Sequence, residues 1–195
     1  MPPNEKNSLR IIGGKHRGRK LRLPDKHHIR PTPERVRETV FNWLQGKIEN
    51  YKVLDLFAGS GAMGLEALSR GAKSVVFVDA EKLVKDQLNK NLDRLDEKKQ
   101  TKVFHEDAEK WLNKNKDKFD LIFLDPPFDY PVLENVFSII EDRNYAETGA
   151  WIYIEKNKNS KWPISKKEWY VYREGIAGQV SFRLMQKKDK ISKIR

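Results

Sequence analysis

From residue 52 onward, apolar positions come in short dense runs separated by stretches with helical spacing. KVLDLF, SVVFVD (74–79), TKVFHED (101–107), FDLIFLD (119–125) and AWIYIEK (150–156) each read as a strand. Their apolar runs are nearly continuous, as in strands of a parallel sheet covered by helices on both faces. The intervening stretches predict a helix in SGAMGLEALSRG that ends at Gly71, a second reaching about residue 96, a short one carrying Trp111, and one over roughly 131–142. EWYVYRE and VSFRLMQ flank a Gly-containing turn and read as an antiparallel pair. Ahead of this core, RIIGGKHRGRKLRL (10–23) holds two extended stretches around glycines. The alternation in KLRL predicts a short β-hairpin with Lys and Arg on one face. Pro31-Thr32-Pro33 opens a further helix, with Thr32 as N-cap, Pro33 at the first helical position and Glu34 in the first turn. Val36, Val40, Phe41 and Leu44 then recur at helical spacing. Residues 1–9 are expected to be disordered, and there is no internal repeat.

Composition narrows the class. A chain of 195 residues suffices for one well-buried domain with a small appendage. No apolar run approaches the roughly 18 residues of a membrane span, and no charged-then-apolar leader is visible. Cysteine is absent, which excludes disulfides, thiolate zinc sites and a cysteine nucleophile, and disfavours methylation of pyrimidine C5. A cytoplasmic protein without a membrane partner is expected. The formal charge is +11, and its placement is uneven. Residues 1–30 carry a surplus of seven positive charges and residues 187–195 a surplus of four, so the body between is neutral. A neutral body with basic ends suits a catalytic core with polyanion-binding arms.

Gly59-Ser60-Gly61-Ala62-Met63-Gly64 follows a strand and opens a helix, and Asp79 ends the next strand about twenty residues on. That is a nucleotide-binding arrangement in which the acid meets a ribose diol. It does not by itself separate a dinucleotide from S-adenosyl-L-methionine. The remaining strand ends tip the balance toward S-adenosyl-L-methionine. Asp55 lies at the end of the first strand, facing an ammonium or the loop. Asp107 ends the third strand, where it can accept from an adenine amino group. Asp125 ends the fourth. Four carboxylates therefore reach one edge of the sheet.

Asp125-Pro126-Pro127-Phe128 carries the chemistry. Two prolines fix φ and donate no N–H, so the loop is rigid. The Asp125 carboxylate and the Pro126 carbonyl can each accept from a planar amino group, and Phe128 can stack on its ring. His27-His28 has no obvious third partner for a metal, and no metal is expected. The five tryptophans read as core or interface positions.

VLDLFAGSGAMGLEALSRGA together with DPPF resembles class I methyltransferases. RIIGGKHRGRKL and IRPTPERVRETVFNWL resemble the RsmD family of 16S rRNA guanine-N2 methyltransferases, over residues 10–186. The resemblance implies a Rossmann-like α/β fold, a seven-stranded mostly parallel sheet with helices on both faces, plus a small N-terminal hairpin. It implies a basic RNA-binding hairpin and helix over 1–45, a methyltransferase domain over 46–187 and a basic tail over 188–195. The implied reaction methylates N2 of one guanine, number 966, of 16S rRNA. The partner is that RNA within the 30S subunit or an assembly intermediate, and the enzyme is a monomer. Asp125, Pro126, Pro127 and Phe128 carry over as the catalytic loop. Gly59, Gly61, Asp79 and Asp107 carry over as cofactor contacts, joined by Asp55, Phe57 and Ala108. Arg10, Lys15, Arg17, Arg19, Lys20 and Arg30 fall to RNA, with Thr32, Arg35 and Arg37 lining the entrance between hairpin and core. Adenine-N6 methylation of nucleic acid and a non-catalytic assembly factor with this fold stay open as rivals.

Overall fold

The computed structural model describes residues 8–24, 32–127, 133–165 and 169–188. In chain order these form β1 (Ser8–Arg10), β2 (Lys20–Arg22), α1 (Glu34–Trp43), β3 (Lys52–Asp55), α2 (Ala62–Ser69), β4 (Ser74–Asp79) and α3 (Lys82–Leu95). There follow β5 (Thr101–His105), α4 (Ala108–Lys114), β6 (Phe119–Leu124), α5 (Leu133–Asp142), β7 (Ala146–Asn157), β8 (Trp169–Ala177) and β9 (Val180–Lys187).

β3 to β9 build a seven-stranded sheet in the order β5-β4-β3-β6-β7-β9-β8. β5, β4, β3, β6 and β7 run parallel, and β9 pairs antiparallel with both β7 and β8. The chain winds outward from β3 in one direction and from β6 in the other. The crevice where such a sheet binds ligands therefore lies beyond the carboxyl ends of β3 and β6.

Alternate residues of each strand sort into two cores. Val53, Val75, Phe77, Leu121, Phe123, Trp151 and Tyr153 face one side, with α1, α2, α3 and the hairpin residues Leu9 and Leu21. Leu54, Val76, Val78, Ile122, Leu124, Ile152 and Ile154 face the other, under α4 and α5. Burial on both faces is why the runs looked continuous in the sequence. The hairpin forms with Arg10, Lys20 and Arg22 exposed as expected, but β1 already begins at Ser8 and Leu9 opposes Leu21 inside, so residues 8 and 9 are ordered by burial of Leu9 and the expectation of disorder over 1–9 fails there.

Three boundaries differ. α1 starts at Glu34 with Pro33 as its N-cap residue, so Thr32 does not cap it. β5 stops at His105, because Asp107 turns to cap α4 and accepts from the Lys110 amide at 3.1 Å. β7 begins at Ala146 rather than 150, with an irregularity in its pairing to β6 between Phe119 and Leu121. Among the described residues no helix is long and apolar enough to cross a membrane.

Candidate active site at the carboxyl edge of the sheet

The parallel register brings the strand ends to one level. Asp55 lies opposite Phe77 of β4 and Phe123 of β6, on the α1 and α2 side. By the same alternation Asp79, Asp125 and Glu155 end β4, β6 and the parallel part of β7 on that side. Asp55 is buried and accepts from the Gly64 amide at 2.9 Å. Gly64 is required there: a Cβ would lie 2.3 Å from the Phe77 ring. Asp79 accepts from the Gly59 amide with one oxygen and from the Glu81 amide with the other, both at 2.8 Å. Gly61 takes φ +75 to enter α2, and a Cβ on it would strike Leu88 at 2.3 Å. Its role visible in the structure is thus the tight turn and close packing. Phe57 and Ala108 both pack on the α4 and α5 core.

Asp125 is half-buried, with Pro126 buried beside it and Pro127 exposed. Its Oδ2 accepts from the Thr32 hydroxyl at 3.0 Å. Next to it on β7, Glu155 is buried and accepts from the Tyr153 hydroxyl at 2.7 Å. Glu155 escaped the sequence reading. The available signal was an acid two residues after a tyrosine at the end of the apolar run AWIYI.

These acids share a poorly solvated space, and burial disfavours their charged forms. Burial pushes the Asp55 carboxyl up to about 8, the Gly64 amide opposing it and the Asp125 and Asp79 charges adding to it. Asp125 is raised to about 6 by burial, against the Thr32 hydrogen bond. Glu155 is raised to about 8 by burial and then by the Asp125 charge.

The hairpin is fastened to the far end of α2. Glu66, fully buried, accepts from the Ile12 and Gly13 amides at 2.8 Å each and from Arg70 Nε at 2.8 Å. The Ser69 hydroxyl donates to the Gly13 carbonyl at 2.5 Å and accepts from the His16 amide at 3.0 Å. Gly14, at φ +73, packs so close that a Cβ would sit 1.8 Å from the Ser69 carbonyl. Paired glycines in a basic loop therefore reflect docking onto a helix end.

Two residues assigned to the RNA entrance, Thr32 and Arg37, are buried. Arg37 is 3% exposed. Its guanidinium donates to the Thr32 carbonyl at 3.3 Å and the Arg10 carbonyl at 3.0 Å, and lies 3.7 Å from Glu66. It braces the N-terminal segment from within and does not face solvent. Arg10, Arg17, Arg19, Lys20 and Arg35 are exposed, as is Lys15, which pairs with Glu97 at 2.6 Å. Arg30, Phe128 and His27-His28 lie outside the described residues. Among the described residues no cluster of His, Cys, Asp or Glu could hold a metal ion.

Comparison with known proteins covers nearly the whole chain. Residues 9–186 match the family described as Conserved hypothetical protein 95. Ribosomal RNA small subunit methyltransferase D of Escherichia coli K12 is 42% identical over 187 residues, covering 95% of this chain and 94% of that one. The Haemophilus influenzae protein of the same name is 42% identical, covering 94% and 96%. A solved Escherichia coli structure assigned as a methyltransferase superposes with a TM-score of 0.87 at 40% identity, over 94% of this chain and 100% of that one. SMU.776, solved with SAH, shares the fold alone, with a TM-score of 0.65 at 14% identity over 78% of this chain and 48% of that one. A match spanning the hairpin, the glycine loop and the end of β6, at this identity, settles the kinship: the chain belongs to the Conserved hypothetical protein 95 family, among the ribosomal RNA small subunit methyltransferases D.

Proposed function

We propose that the protein transfers a methyl group from S-adenosyl-L-methionine to the exocyclic N2 of one guanine, number 966, of 16S rRNA. One observation carries the reading: Asp55, Asp79 and Asp125 meet at the switch-point edge of the sheet, close enough that the charges of Asp79 and Asp125 raise Asp55. An edge where carboxylates destabilise one another favours a ligand that brings positive charge. A sulfonium with an α-ammonium does so, whereas a dinucleotide brings a pyrophosphate. Asp79 suits the ribose diol, Asp107 the adenine amino group and Asp55 the cationic end of the cofactor. When bound, the cofactor supplies a methyl group activated toward a nitrogen lone pair.

The rest of the work falls to the chain. A guanine amino nitrogen is a poor nucleophile, because its lone pair is delocalised into the ring. Thr32 holds Oδ2 of Asp125, which leaves Oδ1 for one amino hydrogen, while the Pro126 carbonyl takes the other. Holding both hydrogens favours a more tetrahedral nitrogen and aims its lone pair. The acceleration is then positioning plus electrostatics. With its carboxyl near 6, Asp125 is mostly ionised at neutral pH. It can receive the proton that becomes acidic as the new N–C bond forms. The base must be unpaired or extruded to reach this edge. The exposed arginines and lysines of the hairpin hold the surrounding phosphates without reading sequence. The substrate is the RNA within the 30S subunit or an assembly intermediate, met by a monomer.

The test uses tritiated S-adenosyl-L-methionine with unmethylated 30S particles, naked 16S rRNA and double-stranded DNA, followed by identification of the labelled nucleoside. N2-methylguanosine from particle or rRNA is the expected product. N6-methyladenine would keep the chemistry and overturn the target. No label, despite cofactor binding by calorimetry, would mean a fold kept for binding alone.

A further inference from the structure

Thr32 was expected to cap a helix and to line the RNA entrance. It does neither of the things a cap or a phosphate contact does. It is 7% exposed, and its hydroxyl donates to Asp125 Oδ2 at 3.0 Å across 93 residues of chain. Its carbonyl is pinned by Arg37 Nε at 3.3 Å, and the same guanidinium reaches the Arg10 carbonyl at 3.0 Å. The hairpin loop, Glu66, Arg37, Thr32 and Asp125 thus form one chain of polar contacts running from the RNA-facing arm to the catalytic loop.

We propose that Thr32 is a positioning residue for the reaction: its hydroxyl orients the Asp125 carboxylate and holds it ionised. The proposal rests on the reading of Asp125 as proton acceptor. The surroundings show why such a donor matters. Asp55 faces Asp125 from β3, Asp79 lies beyond it on β4, and Tyr153 and Glu155 face it from β7. Each of these groups is neutral or negative. On α1, Arg37 donates to the Thr32 and Arg10 carbonyls and pairs with Glu66. Burial favours a protonated, inactive Asp125, and the Thr32 hydrogen bond is what opposes it. A hydrogen bond to an ionised group is stronger than one to a neutral group, so it favours the charged form.

The test compares Thr32→Val, which keeps the shape and loses the donor, with Thr32→Ser, which keeps the donor. Initial rates are followed from pH 5 to 9 with saturating and limiting rRNA, and cofactor binding is measured by calorimetry. Thr32→Val is expected to lower kcat about tenfold at pH 6.5, consistent with a charge-assisted hydrogen bond. Its acid limb should move up by about one unit. KM for rRNA and cofactor affinity should stay within about twofold of the native values. Thr32→Ser should restore both kcat and the limb. A lowered kcat with an unmoved limb, or a raised KM with native kcat, would overturn the assignment. Thr32→Ala carries the same expectation should the valine variant fold poorly. Asp125→Asn is run beside them. If it turns over normally, the reading of Asp125 fails and takes this one with it. If it is inactive while Thr32→Val is native throughout, the Thr32 assignment alone fails.

Discussion

The two sides of the ligand crevice are held by different kinds of bond. On the β4 and β5 side, carboxylates are seated by backbone amides a short way along the chain. Asp79 takes Gly59 and Glu81, Asp107 takes Lys110, and Asp55 takes Gly64. On the β6 and β7 side, Asp125 is seated by a hydroxyl from 93 residues away, and Glu155 by a phenol on its own strand. Amides in a packed turn cannot rotate away, whereas a threonine hydroxyl depends on where its segment docks. The side proposed for the cofactor is therefore fixed by backbone amides of its own turns, and the side proposed for the methyl acceptor by tertiary docking of the N-terminal segment.

Substitutions can separate the two sides. The largest effect is expected at the acceptor. Asp125→Ala should lower kcat by about a thousandfold while the cofactor still binds, whereas Asp79→Ala should weaken cofactor binding itself. Paired calorimetry and turnover assays check this, and similar profiles for the two variants would erase the distinction. Next comes the docking contact. Glu66→Ala leaves the Ile12 and Gly13 amides and Arg70 Nε without this acceptor and removes the carboxylate paired with buried Arg37. A loss of about 3–5 kcal/mol, read by urea denaturation, is expected for breaking so buried a charge pair. If the variant still folds, turnover should fall more than cofactor affinity does.

A smaller effect concerns pH. Asp55 and Glu155, raised to about 8, are protonated in the fold at pH values where the unfolded chain ionises them. Their contribution is thus complete below about pH 4 and is lost as pH rises toward 8. Without cofactor, the melting temperature should fall between pH 5.5 and 8.5, and Glu155→Gln should shrink that fall. A fall unchanged in Glu155→Gln would mean that the glutamate is not the group involved. The smallest effects belong to the exposed arm. Arg17→Ala or Arg19→Ala should each reduce the salt dependence of rRNA binding by about one unit of slope, leaving cofactor affinity intact.

The same division explains what could be read beforehand. The places of Gly59 and Gly61 in the turn between β3 and α2, and of Asp79 and Asp125 at the ends of β4 and β6, were legible because flanking residues mark each boundary. Arg37 was misassigned because its charge was weighed above its position: it stands three, four and seven residues before Val40, Phe41 and Leu44, on the buried face of α1. Its acceptors are carbonyls at Arg10 and Thr32 and a glutamate on α2. Thr32 gave a false cap signal, since Thr-Pro-Glu suits a helix start as well as a tether to Asp125. Glu155 stayed hidden because nothing in YIEK tells that the neighbouring strand brings another acid to the same level.

The span of the N-terminal contacts also sets an order of events on the ribosome that makes the chain. The hairpin loop binds residues 66 and 69, and Thr32 binds residue 125. At roughly 5–20 residues per second, the hairpin, made before residues 66, 69 and 125, must wait several seconds for the acceptors that fasten it. Glu66 and Ser69 can fasten the hairpin as soon as α2 is made, whereas the contact of Thr32 with Asp125 waits for the end of β6, so the N-terminal segment docks in two stages.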